Sequence, residues 1–173
     1  GGCFCADHGL VFVSTDRERV RDYVAGNAEA GVLPPFTPLG LEPVLLSGLD
    51  AYYQLNMRLV AGDIRRYVAP GYHVTPDGCH VGHNVIIPAT AELKAPVTIG
   101  NHCRIGPMAT IGEKAVIGNR VVIDRHTDLS SCVILDGSYV GRNVEISGKI
   151  VAGPRLIDPL SGADVTVSDA GIL

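Results

Sequence analysis

Hydrophobic residues return at every sixth position along the middle of the chain. The stretch from Ile99 to Asp124 reads IGNHCRIGPMATIGEKAVIGNRVVID, in which an aliphatic residue directly precedes glycine four times. A period of six matches neither an α-helix, with about 3.6 residues per turn, nor an extended strand, in which inward and outward side chains alternate. The pattern instead predicts a short strand followed by a corner, repeated many times.

The repeat keeps its register over ten successive aliphatic anchors. These anchors are Val81, Ile87, Leu93, Ile99, Ile105, Ile111, Ile117, Ile123, Leu129 and Leu135. The residue two positions before each anchor is also small or apolar, and these residues are Cys79, Val85, Ala91, Val97, Cys103, Ala109, Ala115, Val121, Thr127 and Val133. Two inward side chains separated by one outward side chain are typical of a short strand with one buried face. The polar, glycine-containing remainder of each hexad supplies the corners.

Short strands joined by corners at a fixed period predict a parallel β-helix, an all-β solenoid of hexapeptide repeats. Three hexads form a triangular coil of about eighteen residues, and coils stack about 4.8 Å apart. After Leu135 the next anchor is Val140, five residues on, so we expect the register to slip once there. The pattern fades after Ile150. We therefore predict a β-helix over residues 71–153 and a tail over residues 154–173 that caps its open end.

The residues before the repeats follow a different pattern and predict a helical or α/β lead-in. We assign residues 1–45 to a lead-in segment and residues 46–70 to a connecting helix with Asp50 as its N-cap and an end or bend at Gly62. The expected apolar face of this helix consists of Tyr52, Leu55, Leu59 and Val60. Within the lead-in, GLVFVS predicts a strand, TDRERVRDYVAGNAEAG a helix and VLPPFTPLGLEP a loop.

Net charge, the length of apolar runs and cysteine spacing indicate which partners and which cellular compartment to expect. The net charge of −4 argues against a nucleic-acid partner, which calls for a basic face. No apolar run approaches the roughly 18 residues of a membrane span, and no signal peptide is visible, so we expect no membrane partner. The five cysteines form no C-x-x-C pair, which favours a cytoplasmic protein with reduced thiols. Because the chain begins with Gly1 rather than Met, we expect it to be a piece of a longer protein.

Stacking at a spacing of eighteen residues places several histidines on outward rows. One expected row consists of Asn84, His102, Arg120 and Ser138, and another of Thr90, Met108 and His126. His102 and His126 are the candidate catalytic residues, since a histidine can act as the general base of an acyltransferase. No acidic residue that would orient either ring is evident in the sequence, so we favour solvated corner residues over catalysis.

Metal binding is not expected. His80, His83 and His102 are the only close set of histidines, and the first two face different directions. Cys79 and Cys103 are expected to pack inward, and Cys132 is expected to point outward without a neighbour that would activate it.

Outward arginines and aliphatic residues indicate two further kinds of contact. Arg104, Arg120 and Arg125 are the candidate residues for an anionic ligand, although interspersed acidic residues favour a mixed solvated surface. Two outward rows are apolar, one of Thr98, Val116 and Ile134 and one of Ile86 and Val122. Because soluble proteins avoid large exposed apolar patches, we expect the helix or a second subunit to cover them, and we predict a homo-oligomer formed through a β-helix face.

The junction between helix and repeats resembles that of the sugar-1-phosphate nucleotidyltransferases, the NDP-sugar pyrophosphorylases such as mannose-1-phosphate guanylyltransferase-like proteins. In that family a motif like D-x-G-T-x-x-x-Y-x-x-A-N leads into a C-terminal left-handed β-helix. Here LDAYYQLNMRLV precedes the hexads, with Tyr52 or Tyr53 and Asn56 matching the motif, and SCVILDGSYVG is similar to the family's later coils. LLSGLD stands where the family has D-V-G-T.

The resemblance implies a β-helix domain for assembly or regulation of an enzyme that joins a nucleoside triphosphate to a sugar 1-phosphate with Mg²⁺. The family's phosphate-holding G-x-G-T-R loop does not occur in these 173 residues. We therefore expect the lead-in to be at most a remnant of a catalytic domain and this chain alone to be inactive, with no cofactor of its own. Sugar phosphate, nucleoside triphosphate and Mg²⁺ would be ligands of the parent enzyme only. The alternatives are a hexapeptide-repeat acyltransferase and a purely structural module.

Overall fold

The computed structural model describes residues 2–5, 11–14, 46–62, 71–169 and 171–173. The chain divides into two units, Gly1–Leu45 and Leu46–Leu173. In the first unit, strands β1 (Gly2–Cys5) and β2 (Val11–Ser14) pair antiparallel. β2 is the strand predicted within GLVFVS, whereas β1 was not predicted. The helix and loop predicted for the rest of this segment lie outside the described residues.

The second unit is a β-solenoid of about four turns preceded by one short helix, which confirms the predicted fold class. Its helix is α1 (Leu49–Val60). Its strands are β3 (His73–Val74), β4 (His80–Val81), β5 (Glu92–Leu93), β6 (Val97–Ile99), β7 (Arg104–Ile105), β8 (Thr110–Ile111), β9 (Ala115–Ile117), β10 (Val122–Ile123), β11 (Asp128–Ser130), β12 (Val133–Ile134), β13 (Tyr139–Val140), β14 (Glu145–Ser147), β15 (Ile150–Ala152), β16 (Arg155–Ile157) and β17 (Asp164–Thr166). Within the described residues, no helix is long and apolar enough to cross a membrane.

Three parallel sheets form the faces of the solenoid, and the chain visits them in a fixed order. Face 1 contains β4, β6, β9, β12 and β15, face 2 contains β7, β10 and β13, and face 3 contains β5, β8, β11 and β14. Strands β3, β16 and β17 extend face 1 by antiparallel pairing at its two ends. Each strand is only two or three residues long because the chain turns a corner between successive faces.

The predicted anchors fill the interior. Ile105 and Ile111 are 2% and 0% exposed, and the anchors between Ile99 and Leu129 are all buried. Ile87 and Leu93 in the first coil are only partly buried but pack against the same core. The sixfold hydrophobic pattern therefore identifies the core correctly as far as Leu129.

The register slips one hexad earlier than the sequence predicts. Val133 pairs with Val116 and Ile134 with Ile117, so the five-residue step runs from Leu129 to Ile134. Ile134 is then the buried anchor in place of Leu135, which is only partly buried. Because one residue of slip exchanges inward and outward positions, the positions predicted between Leu129 and Val140 were wrong as well, whereas the predicted anchors Val140 and Ile146 are buried.

Two of these consequences concern polar or reactive side chains. Cys132, expected to point outward, is completely buried. Ser138, expected in an outward row with Arg120, lies inward, where its hydroxyl accepts a hydrogen bond from the Gly153 amide at 3.0 Å. The run Val133-Ile134-Leu135 accommodates either register, and only the pairing of β12 distinguishes them.

A second short step follows at the same corner of the triangle. The inward residue after Ile146 is Val151, again five positions on. Both short steps occur where the chain passes from face 3 to face 1. Val116, Val133 and Ile150 consequently stack at a spacing of seventeen residues, although the earlier coils have eighteen.

Helix α1 begins after Gly48 rather than at Asp50, which lies in the first turn and makes no capping bond. It ends at Val60, and Gly62 follows with φ +82°, so the predicted termination is correct. The most buried side chain of α1 is Tyr53, with Tyr52 and Met57 packed beside it. The predicted apolar face therefore included Tyr52 but missed its central residue.

Helix α1 lies against face 1. Tyr53 packs with Val133, Ile150 and Val116, and its hydroxyl donates a hydrogen bond to the Ser131 carbonyl oxygen at 2.6 Å. The first outward apolar row therefore consists of Thr98, Val116 and Val133, not Ile134 as predicted. This helix is the cover that the sequence required for that row.

The C-terminal tail lies over the last coil. The Gly141 amide donates to the Ile172 carbonyl oxygen at 2.8 Å, the bond that a further coil would otherwise supply. Leu173 is buried and joins the solenoid core, and a Cβ at Gly141 would collide with the carbonyl of Gly171. The tail thus shields the apolar interior from water at this end of the solenoid.

Candidate functional site

One corner of the solenoid combines hydrogen-bonded amides with ionisable side chains. We call the corner between face 1 and face 2 the ladder corner. It consists of residues 82–84, 100–102, 118–120 and 135–137. The last residue of each of these turns has a left-handed backbone, and these residues are Asn84 (φ 54°), His102 (φ 59°), Arg120 (φ 55°) and Gly137 (φ 71°). The outward row predicted from the sequence is therefore correct for Asn84, His102 and Arg120 and wrong for Ser138, which is buried.

Side-chain amides and a carboxylate form a continuous hydrogen-bonded ladder along this corner. The His83 amide donates to Asn101 Oδ1 at 2.8 Å. Asn101 donates from its backbone N–H and its Nδ2 to Asn119 Oδ1, at 2.9 and 3.1 Å. Asn119 in turn donates from its backbone N–H to Asp136 Oδ1 at 2.8 Å and from its Nδ2 to Asp136 Oδ2 at 3.0 Å. Each side chain therefore satisfies a backbone donor of the neighbouring coil.

Asp136 sets the direction of the ladder. An ionised carboxylate only accepts hydrogen bonds, so Asn119 must present its donors to Asp136 and its oxygen to Asn101. These bonds from Asn119, together with the nearby Arg120 charge, lower the pKa of Asp136 below its ordinary value. The carboxylate therefore remains charged at neutral pH.

The outer surface of the ladder corner is an open groove of about 440 Å³, lined by His83, Asn101, His102, Asn119, Arg120 and Asp136. His102 Nδ1 lies 3.4 Å from the side-chain nitrogen Nδ2 of Asn84. Among the described residues, the Arg120 guanidinium has no hydrogen-bond or ion-pair partner. The groove thus offers a free guanidinium and two imidazoles beside one carboxylate that is already engaged.

The remaining candidates lie elsewhere and do not converge. Arg104 lies on face 2 between Ile86 and Val122, while Arg125 and His126 lie at the corner between faces 2 and 3. Arg125 lies beside Asp124, whose carboxylate accepts from the Arg125 amide at 2.7 Å and from the Tyr139 hydroxyl at 3.1 Å. Of the candidate catalytic and ligand-binding residues, the structure brings His102 and Arg120 together in the groove, with His83 beside them.

The described residues include no group of three His, Cys, Asp or Glu side chains that could hold a metal ion. Burial raises the pKa of the Cys132 thiol to about 12, so this cysteine remains a protonated, unreactive thiol at neutral pH. Desolvation also raises the pKa of Cys103, whose sulfur lies 3.0 Å from the Gly118 carbonyl oxygen.

Sequence reasoning missed the residues that build the ladder, namely Asn101, Asn119 and Asp136. The signal was nevertheless present: Ile-Gly-Asn occurs at residues 99–101 and again eighteen positions later, and Ile-Leu-Asp follows at residues 134–136. A short polar side chain recurring at the coil spacing places hydrogen-bonding groups directly above one another.

Comparison with known proteins gives one family match. Residues 93–170 match the family model described as the GMPPB C-terminal domain. The match runs from β5 through the hairpin of β16 and β17 and so includes most of the solenoid and its tail. No match was found among curated proteins. Residues 93–170 are therefore similar to the GMPPB C-terminal domain, a C-terminal region of sugar-1-phosphate nucleotidyltransferases with a left-handed β-helix fold.

Proposed function

We propose that this chain is the β-helix assembly and regulatory domain of a cytoplasmic sugar-1-phosphate nucleotidyltransferase, acting in nucleotide-sugar synthesis for polysaccharide or glycan precursors. The family match over residues 93–170 supports the nucleotidyltransferase context. In this proposal the nucleoside triphosphate, sugar 1-phosphate and Mg²⁺ bind to a catalytic domain outside these 173 residues. The β-helix then contributes contacts between subunits.

The observation that supports the assembly role is an uncovered outward row on face 2, in which Arg104 lies between the aliphatic residues Ile86 and Val122. Ile86 and Val122 point outward from this face and are 57% and 38% exposed. The corresponding row on face 1 is covered by α1, but no described residue covers Ile86 and Val122 in the same way. An exposed aliphatic pair on a rigid parallel sheet is suited to bury itself against another surface.

Charge complementarity indicates that the other surface belongs to a second copy of the chain. Basic side chains lie on face 2 and on its corner with face 3, and these are Arg104, Arg125 and Arg142. The outward side chains of face 3 are mainly acidic, and these are Glu92, Asp128 and Glu145. A chain that carries both a basic and an acidic face can associate head to tail, with complementary charges fixing the orientation.

Sedimentation velocity at micromolar concentration tests the assembly role. We expect the wild-type chain to sediment as an oligomer and the double variant Ile86→Lys, Val122→Lys to sediment as a monomer, because two lysines cannot be buried in an apolar contact without a large desolvation cost. Val165→Lys is the matched control, since Val165 is 58% exposed on β17, away from face 2. A monomeric wild type, or a double variant that remains oligomeric, would contradict this role.

A pyrophosphate-release assay tests the placement of catalysis outside this chain. We expect no release from GTP, ATP, dTTP or UTP with any hexose 1-phosphate, because the sequence has no G-x-G-T-R loop to align the phosphates. Release above the rate without protein would show that these residues contain a nucleotidyl-transfer site.

The geometry does not support the acyltransferase alternative. The group next to the His102 ring is the side-chain amide of Asn84 rather than a carboxylate that would orient the ring as a general base.

A further inference from the structure

We propose that the ladder corner binds a phosphate monoester, a role separate from assembly. Three side chains that can carry positive charge line its groove, His83, His102 and Arg120. They come from three successive coils, which stack about 4.8 Å apart. This spacing is close enough for a single phosphate group to contact donors from neighbouring coils.

The hydrogen-bonded ladder is what keeps Arg120 available. Asp136 lies in the same groove and would be the natural ion-pair partner of Arg120. Both of its carboxylate oxygens instead accept hydrogen bonds from Asn119, at 2.8 and 3.0 Å. The guanidinium is thus left with its planar fork of donors free, and this fork matches the oxygens of a phosphate.

The same carboxylate distinguishes a phosphate monoester from a free phosphate ion. Two hydrogen bonds leave unused lone pairs on the Asp136 oxygens, since a carboxylate offers about four acceptor sites. The carboxylate repels the phosphoryl group of either ligand, but its free acceptor sites can take hydrogen bonds from hydroxyl groups of the alcohol portion of an ester, which inorganic phosphate lacks. A small hydroxylated phosphate monoester therefore fits the groove better than inorganic phosphate.

The neighbouring corner provides an internal comparison. Arg125 and Arg142 lie beside Asp124, and both charges help to lower the pKa of that carboxyl group. Their positive charge is thus partly compensated within the chain. Arg120 likewise helps to lower the pKa of Asp136, so the two corners differ in geometry: Arg120 lines the groove together with His83 and His102, whereas Arg125 does not. Arginines on adjacent corners are therefore expected to differ in phosphate binding.

Nuclear magnetic resonance of histidine ring signals tests the proposal on the whole chain, titrated with glycerol 3-phosphate and, separately, with inorganic phosphate. We expect saturable shifts of the His83 and His102 signals but not of His126, with the ester binding more tightly than phosphate. Arg120→Gln should weaken ester binding at least about tenfold, the loss expected for a charge-assisted pair. Arg125→Gln, the matched control, should change it less than about twofold.

A second variant tests the imidazole without disturbing the corner. His102→Asn keeps a residue type that tolerates the left-handed backbone, as Asn84 does at the equivalent position of the coil before it. We expect this variant to fold normally and to bind the ester several-fold more weakly. The proposal is overturned by the absence of saturable shifts, by equal losses in Arg120→Gln and Arg125→Gln, or by a preference for inorganic phosphate.

Discussion

Gly118 occupies a point of the ladder corner where two coils approach closely. A Cβ at this position would collide with Asp136 Oδ1 and would lie 2.8 Å from the Asp136 amide nitrogen. Most of these neighbours are backbone or hydrogen-bonded atoms that cannot rotate away. The absence of a side chain at Gly118 is therefore a requirement of the Asn119–Asp136 contact.

Gly118→Ala should consequently lower stability by about 1–3 kcal/mol, the usual cost of forcing an extra carbon into a packed site. Gly137→Asn is the matched control at the same corner, because an added Cβ there meets no atom within 4 Å and asparagine tolerates its φ of +71°. Thermal unfolding of the two variants measures the difference. Equal unfolding midpoints would show that the close approach is not a constraint.

At the scale of single residues, the sequence predicts the backbone conformation of the corners better than it predicts the contacts of the corner side chains. Glycine follows five of the ten predicted anchors and predicts sharp corners, and the structure has them. The partner of each corner side chain lies seventeen or eighteen residues away, so local pattern alone does not reveal that Asn119 binds Asp136. Sequence analysis selected His102 and Arg120 because their side chains can act in catalysis or binding. It did not select Asn101 and Asn119, whose side-chain amides form the ladder beside them.

Among the elements, α1 is attached to the solenoid through one polar contact within an apolar cluster. The Tyr53 hydroxyl bonds to the carbonyl of Ser131, which lies at the short corner between face 3 and face 1. The ring packs on Val133 and Ile150. The hydroxyl thus fixes where along face 1 the helix lies, and the ring supplies the buried area.

Tyr53→Phe keeps the ring and removes the hydrogen bond, so we expect a loss of about 1 kcal/mol in the free energy of unfolding. Tyr52→Phe is the control, because no described residue accepts a hydrogen bond from the Tyr52 hydroxyl. Denaturant titration followed by circular dichroism measures both variants. A Tyr53→Phe midpoint equal to that of Tyr52→Phe would mean that the hydroxyl contributes nothing to docking of the helix.

The elements show why sequence reasoning succeeded for most of the solenoid and failed for one strand. Up to Leu129, each anchor lies six positions after the previous one and is followed by glycine, proline or a polar residue, so one register fits throughout, even across Val121-Val122-Ile123. At Val133, Ile134 and Leu135 three aliphatic residues follow one another, and two registers satisfy the pattern equally. The pairing with β9, a tertiary contact, determines the register there.

At the largest scale, the solenoid unit depends on one continuous apolar interior. Nineteen buried residues from the first coil to Leu173 form a single cluster, so damage in a middle coil affects both neighbours. Solenoids of this kind gain stability from each interface between adjacent coils. A polar group in a central coil therefore removes support from two interfaces at once.

Ile111→Asp should accordingly unfold the solenoid. Ile111 is completely inaccessible, and a buried unpaired carboxylate costs several kcal/mol, a large part of the roughly 5–15 kcal/mol that holds a typical domain together. Met108→Asp is the control, since Met108 is exposed at a corner of the same coil and aspartate accepts its left-handed backbone. Circular dichroism during heating measures both; an unchanged midpoint for Ile111→Asp would contradict the inward position of this residue.

The two five-residue steps at one corner have a consequence for how such a chain can change length. After the first step the strands of all three faces are again paired in parallel with those of the preceding coil, and after the second step β15 again pairs in parallel with β12, so the lost residue alters a turn and leaves the pairing intact. A deletion at this edge is thus a local event, whereas a deletion within a strand exchanges core and solvent positions along everything that follows. Evolutionary insertions and deletions should accumulate along this single edge of the prism. An engineer who duplicates or removes a coil can cut the chain there, taking either seventeen or eighteen residues as the unit.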